Sequence, residues 1–278
     1  MKIKILVCCH KKDIYKKSDI YIPIHVGKAI SNIDLGIQGD NEGNNISCKN
    51  ASYCELTGMY WAWKNLKNTD YIGLCHYRRY FDFNHNGRYF FPLTTIKNCD
   101  FNKLDLTVNP KVLNYLQKGY CIVAKPSHIG TSLYLQYCEG HYSPDFRILG
   151  TTIKDTLDTK YSRAFWTTQL EDNKFSPFNM FIMNWQQFDR YCNWLFPLLE
   201  KVEDKIDITN YPCDQKRIFG YMGERLLNVY IKAENIKTKH YPILKISDDC
   251  EVDNFSIPKY IIRTILRDYN VKLMSKLT

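Results

Sequence analysis

The sequence predicts an α/β layered domain with a mostly parallel central sheet flanked by helices, plus a C-terminal helical tail. Two patterns predict it. Short, continuous apolar runs alternate with segments whose apolar residues recur at helical spacing, and no stretch shows the sustained period-two alternation of an antiparallel meander. Size and composition agree: 278 residues, 45% hydrophobic and 24% charged, with only 13 Gly and 10 Pro, suit one large core. The division expected is a domain over residues 1–250 and a basic amphipathic helix over 251–278.

The elements follow in order. Ile3 to Cys9 is a buried first strand, ended by the polar His10-Lys11-Lys12, and it turns polar too soon for a signal peptide. Ile20 to Gly27 is apolar around Pro23 and leads into a Gly/Asn/Asp-rich stretch, Asp34 to Asn50, which reads as a long loop of the functional or disordered kind. Ser52 with Glu55 has the form of a capping box, so a helix starts there with Tyr53, Leu56, Tyr60 and Trp63 as its core stripe. Asn68-Thr69-Asp70 ends it, and Tyr71 to Cys75 is a second buried strand running straight into His76-Tyr77-Arg78-Arg79-Tyr80.

Further on, Tyr120 to Ala124 is a strand ending at Lys125-Pro126, and Phe178 to Met183 is another. The latter passes through Asn184 into a helix with Phe188, Tyr191, Cys192, Leu195 and Phe196 on one face. A helix over Gln215 to Tyr230 turns Phe219, Met222, Leu226 and Val229 inward. In the tail, Pro258 suits a first helical turn, and Ile261, Ile262, Ile265, Leu266, Tyr269 and Leu273 fall at helical spacing. Lys259, Arg263, Arg267, Lys272 and Lys276 accompany them with Asp268 as the only acid, so the helix either packs its stripe on the domain or lies on an anionic membrane.

Composition excludes several classes. Eleven Cys without a Cys-x-x-Cys pair argue against zinc ribbons and against a secreted disulfide framework, and point to a cytoplasmic protein. No run approaches the roughly 18 apolar residues of a membrane span. The net charge of +9 invites an anionic partner: a nucleic acid, a membrane surface or a phosphorylated substrate. The 21 Tyr, 14 Phe and 5 Trp suit sugars and bases alike. A nucleic-acid-binding protein should show a clustered basic stripe, whereas here Lys and Arg are scattered, so no nucleic-acid partner is expected.

Open α/β sheets bind ligands at the carboxyl ends of their strands. Two apolar runs end in unusual polar residues, Cys8-Cys9-His10-Lys11 and His76-Tyr77-Arg78-Arg79, and neither is a Gly-rich phosphate loop. A P-loop kinase or a Rossmann dehydrogenase is therefore disfavoured. A nucleotide-sugar transferase commonly holds a divalent metal through Asp-x-Asp after a central strand, and no such motif stands there. Arg78 and Arg79 offer equivalent positive charge to a diphosphate, because guanidinium binds phosphate oxygens bidentately; the plainer alternative is a solvated salt bridge.

The runs Tyr53 to Asn65 and Tyr71 to Phe81 resemble the bacterial capsular and exopolysaccharide glycosyltransferase family long catalogued as a domain of unknown function. Asp40, Asn45-Ile46-Ser47, Lys49-Asn50, Phe178 to Met183 and Arg217 to Leu226 fit it too, and the resemblance covers most of residues 3 to 232. It implies a GT-A-like enzyme moving a hexose, galactopyranose or galactofuranose among the candidates, from a UDP-sugar donor to a lipid-linked glycan acceptor at the cytoplasmic leaflet. Cys9 and His10, with Cys8, would then stand where the base and ribose are contacted, and Asp40, Asn45 and Lys49 would close over uridine and phosphate. His76, Tyr77, Arg78 and Arg79 would occupy the place of the metal motif, implying no metal and no cofactor beyond the donor. An inverting transfer needs a proton acceptor; Asp145, His141 and Glu224 rank ahead of Glu139 and Asp214. A glycan-binding module without turnover is the remaining alternative class.

Overall fold

Strand β1 (Ile3–Cys9) has Ile5, Leu6, Val7 and Cys9 at 0–1% exposure, so its continuous apolar run is sandwiched on both faces. The structure, a computed structural model, describes residues 1–248 and 256–277, with side chains in the last helix described through Tyr269 and at Val271. After β1 come β2 (Tyr21–His25), α1 (Asn50–Tyr53), α2 (Leu56–Asn65), β3 (Tyr71–His76), β4 (Arg79–Phe81), β5 (Leu93–Ile96), α3 (Pro110–Gln117) and β6 (Cys121–Ala124). The rest are β7 (Ser127–His128), α4 (Leu133–Gly140), α5 (Ser143–Thr156), α6 (Thr159–Glu171), β8 (Lys174–Phe175), β9 (Phe181–Asn184), α7 (Trp185–Glu203), α8 (Ile218–Ala233), β10 (Thr238–Tyr241), β11 (Ile243–Ile246) and α9 (Ile257–Leu277).

The main sheet runs β2-β1-β3-β9-β6-β10. Its strands share one direction except β9, which is antiparallel to both neighbours. The α/β class and the flanking helices are as expected. The sheet as a whole is mixed rather than mostly parallel, because β9 is inserted in reverse and because β4 folds back from β3 to start an antiparallel branch through β11. Pro23 is accommodated because β2 is an edge strand, whose only described strand partner is β1 and whose far side bridges Gly39 only at His25.

Alternation along the strands divides the core. Leu6, Cys8, Ile72, Leu74, Val123 and Phe181 face α2 and α5–α8, whereas Ile5, Val7, Cys9, Ile122 and Ile182 face the branch strands and α3. Gly73 sits where Ile5 and Ile182 of the flanking strands close over it; a Cβ there would lie 2.8 Å from Ile182 Cγ1. The helix following β9 starts as the sequence indicates: the Asn184 side chain accepts from the Gln187 N–H at 2.8 Å, a cap worth about 1 kcal/mol.

Three boundaries differ from expectation. The Ser52 capping box does not form: α1 ends at Tyr53, Cys54 takes a left-handed φ of 51°, and α2 begins at Leu56. The Ser52 hydroxyl donates back to the Lys49 carbonyl, which leaves Glu55 free of capping duty. The strand read from Phe178 starts only at Phe181, because Phe178 and Asn179 have φ of 74° and 52°. The helix read over Gln215 to Tyr230 opens with a 3-10 turn, Gln215–Arg217, and runs on to Ala233. The domain boundary drawn at residue 250 lies outside the described residues.

The ten described cysteines are all free thiols, five of them buried. No described helix is long and apolar enough to cross a membrane. The tail forms α9, and its Tyr260, Asp268 and Val271 side chains touch the domain while Ile261, Ile262, Ile265, Leu266 and Tyr269 stay 42–63% exposed. The packing alternative for the apolar stripe is therefore not the arrangement found.

Candidate active site

At the carboxyl ends of β1 and β3 the sheet opens into a cleft of about 830 Å³. Its floor is Cys8 and the turn His76–Arg79, one wall is the kink between α1 and α2, the other is α8 with the segment before it, and the end of β11 completes the rim. The turn is tied on both sides: the Tyr77 N–H donates to the Cys8 carbonyl at 3.2 Å, and the Ile246 N–H donates to the Arg78 carbonyl at 2.8 Å. Gly220 lets α8 approach the kink, since a Cβ there would stand 2.9 Å from Cys54 Sγ.

The two adjacent arginines have different surroundings. Arg78 is neutralised by Asp13, with Nη2 and Nε at 2.6 and 2.8 Å from one carboxylate oxygen. Arg79 makes no ion pair among the described residues; its guanidinium lies 4.5 Å from the Phe178 ring centroid and is half-buried. Burial weakens its hold on the proton, while Glu55 and Glu224 act the other way through space. Lys216, Arg217 and Lys245 add further positive charge around the same cleft. Arg217 spans Cys54, whose Sγ accepts from Nε at 3.3 Å, and the ring of Tyr221.

Two carboxylates face these cations. Glu224, on α8, accepts the Phe178 N–H, and burial raises its proton affinity above that of an ordinary glutamate. Glu55, at the kink, accepts from Asn179 Nδ2 at 2.7 Å. Sequence reasoning assigned Glu55 to a helix cap and passed over it, as it did Lys216 and Lys245. The signal that could have exposed Glu55 is its place within the Tyr53–Asn65 run. His76 is held by the Phe178 carbonyl at 2.8 Å, with burial lowering its pKa. A carbonyl can only accept, so Nε2 is the donor. Among the described residues no three His, Cys, Asp or Glu side chains converge as a metal site would require.

The remaining sequence candidates fall in different places. His10 lines the cleft edge-on to Tyr77, with centroids 5.4 Å apart. Cys9 points to the opposite face of β1, its thiol donates to the Val7 carbonyl, and burial pushes its pKa up to about 12. Asp40 is fully buried and holds the long loop together, accepting from the Gly27 and Lys28 N–H groups at 2.9 and 3.1 Å and from the Ser47 and Thr57 hydroxyls. Asn45 bonds only within that loop, to Asn41, Gly43 and Ser47. Lys49 pairs with Glu203 at 2.6 Å on the other side of α1. Asp145 accepts the Tyr211 hydroxyl on both oxygens, and His141 bonds Gln215 while stacking on Tyr221; both sit behind Tyr221 rather than on the cleft wall. Of the three proposed proton acceptors, the structure brings only Glu224 to the cations.

Residues 4–235 match the family described as Domain of unknown function (DUF4422). No curated protein matches the chain. Among solved structures, the apo structure of the WbbM bifunctional glycosyltransferase superposes with a TM-score of 0.81 at 30% identity, over 89% of this chain and 46% of that one. The chain thus spans about half the length of that protein.

Proposed function

The chain belongs to the DUF4422 family, and from that premise we propose that it is a glycosyltransferase. It moves a hexose, galactose in pyranose or furanose form, from a UDP-sugar to a lipid-linked glycan acceptor in surface polysaccharide synthesis. The observation that carries this reading is Arg79: a half-buried guanidinium with no acidic partner among the described residues, at the carboxyl end of a sheet strand and flanked by Lys216, Arg217 and Lys245. An unneutralised, partly desolvated cation implies an anionic ligand that completes the site. Similarity to a bifunctional glycosyltransferase over most of the chain makes a nucleotide diphosphate the anion of choice.

In the transfer the bond from the sugar to the diphosphate breaks as the acceptor oxygen attacks, and negative charge accumulates on the leaving UDP. Arg79 and its cationic neighbours stabilise that charge where a metal would otherwise serve. The acceptor hydroxyl loses its proton to Glu224, whose burial raises its proton affinity above that of an ordinary glutamate. Glu55, fixed by Asn179, acts on Arg79 through space from the kink between α1 and α2. The reaction proceeds with inversion and without metal, at the cytoplasmic face of the membrane.

A panel of nucleotide sugars and acceptors, read together with thermal shift against UDP and against an oligonucleotide, tests this reading. Stabilisation by UDP and turnover of a UDP-hexose are expected. Stabilisation by the oligonucleotide alone would replace the reading with nucleic-acid binding, and UDP binding without turnover of any donor would reduce it to a binding module.

A further inference from the structure

Helix α9 has two unlike faces. At about 100° per residue, Tyr260, Thr264, Arg267, Asp268 and Val271 share the side that meets the domain. Tyr260 packs on Phe91 with ring centroids 5.0 Å apart, Asp268 bonds His128 at 3.1 Å and Asn173 at 2.8 Å, and Val271 is 6% exposed. On the outward half stand Ile262, Ile265, Leu266 and Tyr269, with Ile261 at its edge, each at least 42% exposed. Lys259 and Arg263 border that half along one edge. On the domain-facing side Phe90, 41% exposed, stands 5.7 Å from the Tyr260 ring, and Lys125 Nζ is bonded to the Phe90 carbonyl.

Five large apolar residues on or bordering the outer half of one helix exceed the scattered apolar exposure normal for a protein surface. The face is the convex back of a docked helix, not a groove, so it lacks the walls that would receive a single peptide. A flat, deformable apolar medium bounded by negative charge matches both its shape and its cationic border. From these features we infer that α9 forms a docking surface for an anionic lipid bilayer, with the outward apolar half entering the headgroup boundary and Lys259 meeting the lipid phosphates. The inference rests on the exposed face and its charge, and it stands or falls apart from the transferase reading.

The test uses the full chain and vesicles, with no sugar chemistry. The protein should co-sediment with vesicles of equal parts phosphatidylcholine and phosphatidylglycerol, and much less with phosphatidylcholine alone. High salt should weaken binding through screening. The triple variant Ile262→Asp, Ile265→Asp, Leu266→Asp should lose at least about tenfold in vesicle partition, and Lys259→Glu should weaken it less. All four positions are exposed, so melting temperature should be unchanged; Leu266→Asp alone serves if the triple variant misfolds. Hydrogen exchange over residues 257–269 should slow on adding anionic vesicles. Failure of the unsubstituted protein to bind, equal binding by the triple variant, or binding indifferent to lipid charge would overturn the inference. So would self-association without vesicles that the triple variant abolishes, since a second copy would then cover the face.

Discussion

Replacing Arg79 and Arg78 separately by Ala distinguishes a ligand-binding cation from a structural one. Arg79 has no acid within ion-pair reach among the described residues, so Arg79→Ala leaves no carboxylate orphaned. Its cost to stability is the contact with Phe178, about 0.5–1 kcal/mol for a partly exposed pair. Its cost to UDP binding is the loss of hydrogen bonds to a charged group, about 1.5–3 kcal/mol, or roughly 10- to 150-fold in Kd. Arg78→Ala reverses the balance. It strands Asp13, whose side chain is 10% exposed, and should cost about 1–3 kcal/mol of stability. Its direct effect on UDP should be the smaller of the two, because its charge is already matched. Calorimetric titration with UDP and thermal melts on the same preparations read both quantities. Equal UDP affinity in Arg79→Ala and the unsubstituted protein would refute the assignment of the free guanidinium to the diphosphate.

Glu224→Gln should keep UDP affinity and lower kcat about 10²- to 10⁴-fold; undiminished turnover would remove Glu224 as the base. The same residue sets a pH dependence: because its folded pKa is raised, mainly by burial, the acidic limb of kcat should lie above the ordinary glutamate range. The linked stability is present below the unfolded pKa and lost as pH rises through the folded one, so Glu224→Gln should melt higher at neutral pH, with the gain shrinking on acidification. Turnover should persist in excess EDTA; complete loss restored by Mn²⁺ or Mg²⁺ would show a cation site. Asp40→Ala strands two backbone donors and two hydroxyls and should cost about 3–5 kcal/mol. UDP affinity below the melting temperature should hardly change, and a large loss there would return Asp40 to the donor site.

The strands were legible because their signal is local: an apolar run with no polar break, as in Ile5–Cys9 or Tyr71–Cys75, has few places to go except between two layers. The direction of β9 was not, since a four-residue apolar strand carries no mark of its neighbours. Arg78 and Arg79 read alike in sequence; what separates them is Asp13, brought to Arg78 from the loop after β1. Asp40 lies in a stretch rich in Gly, Asn and Asp, the composition of a solvated loop, and only the folded loop shows that four donors converge on it in the dark of the core. For α9 the spacing gave the stripe, but the side meeting the domain depends on Phe91 and His128, which no helical period encodes.

Glu55 shows how a correct pattern conceals a site residue. Ser52-x-x-Glu55 satisfies the spacing of a capping box, but the backbone turns left-handed at Cys54 before a helix can use it. Left-handed non-glycine residues each cost on the order of 1 kcal/mol and persist only where surroundings over-determine them. Three occur around this cleft, at Cys54, Phe178 and Asn179. Their products interlock: the Phe178 N–H holds Glu224, the Phe178 carbonyl holds His76, and the Asn179 amide holds Glu55. Straightening either turn would release a carboxylate from its place opposite Arg79. The strain is thus coupled to a cation kept in position without being neutralised.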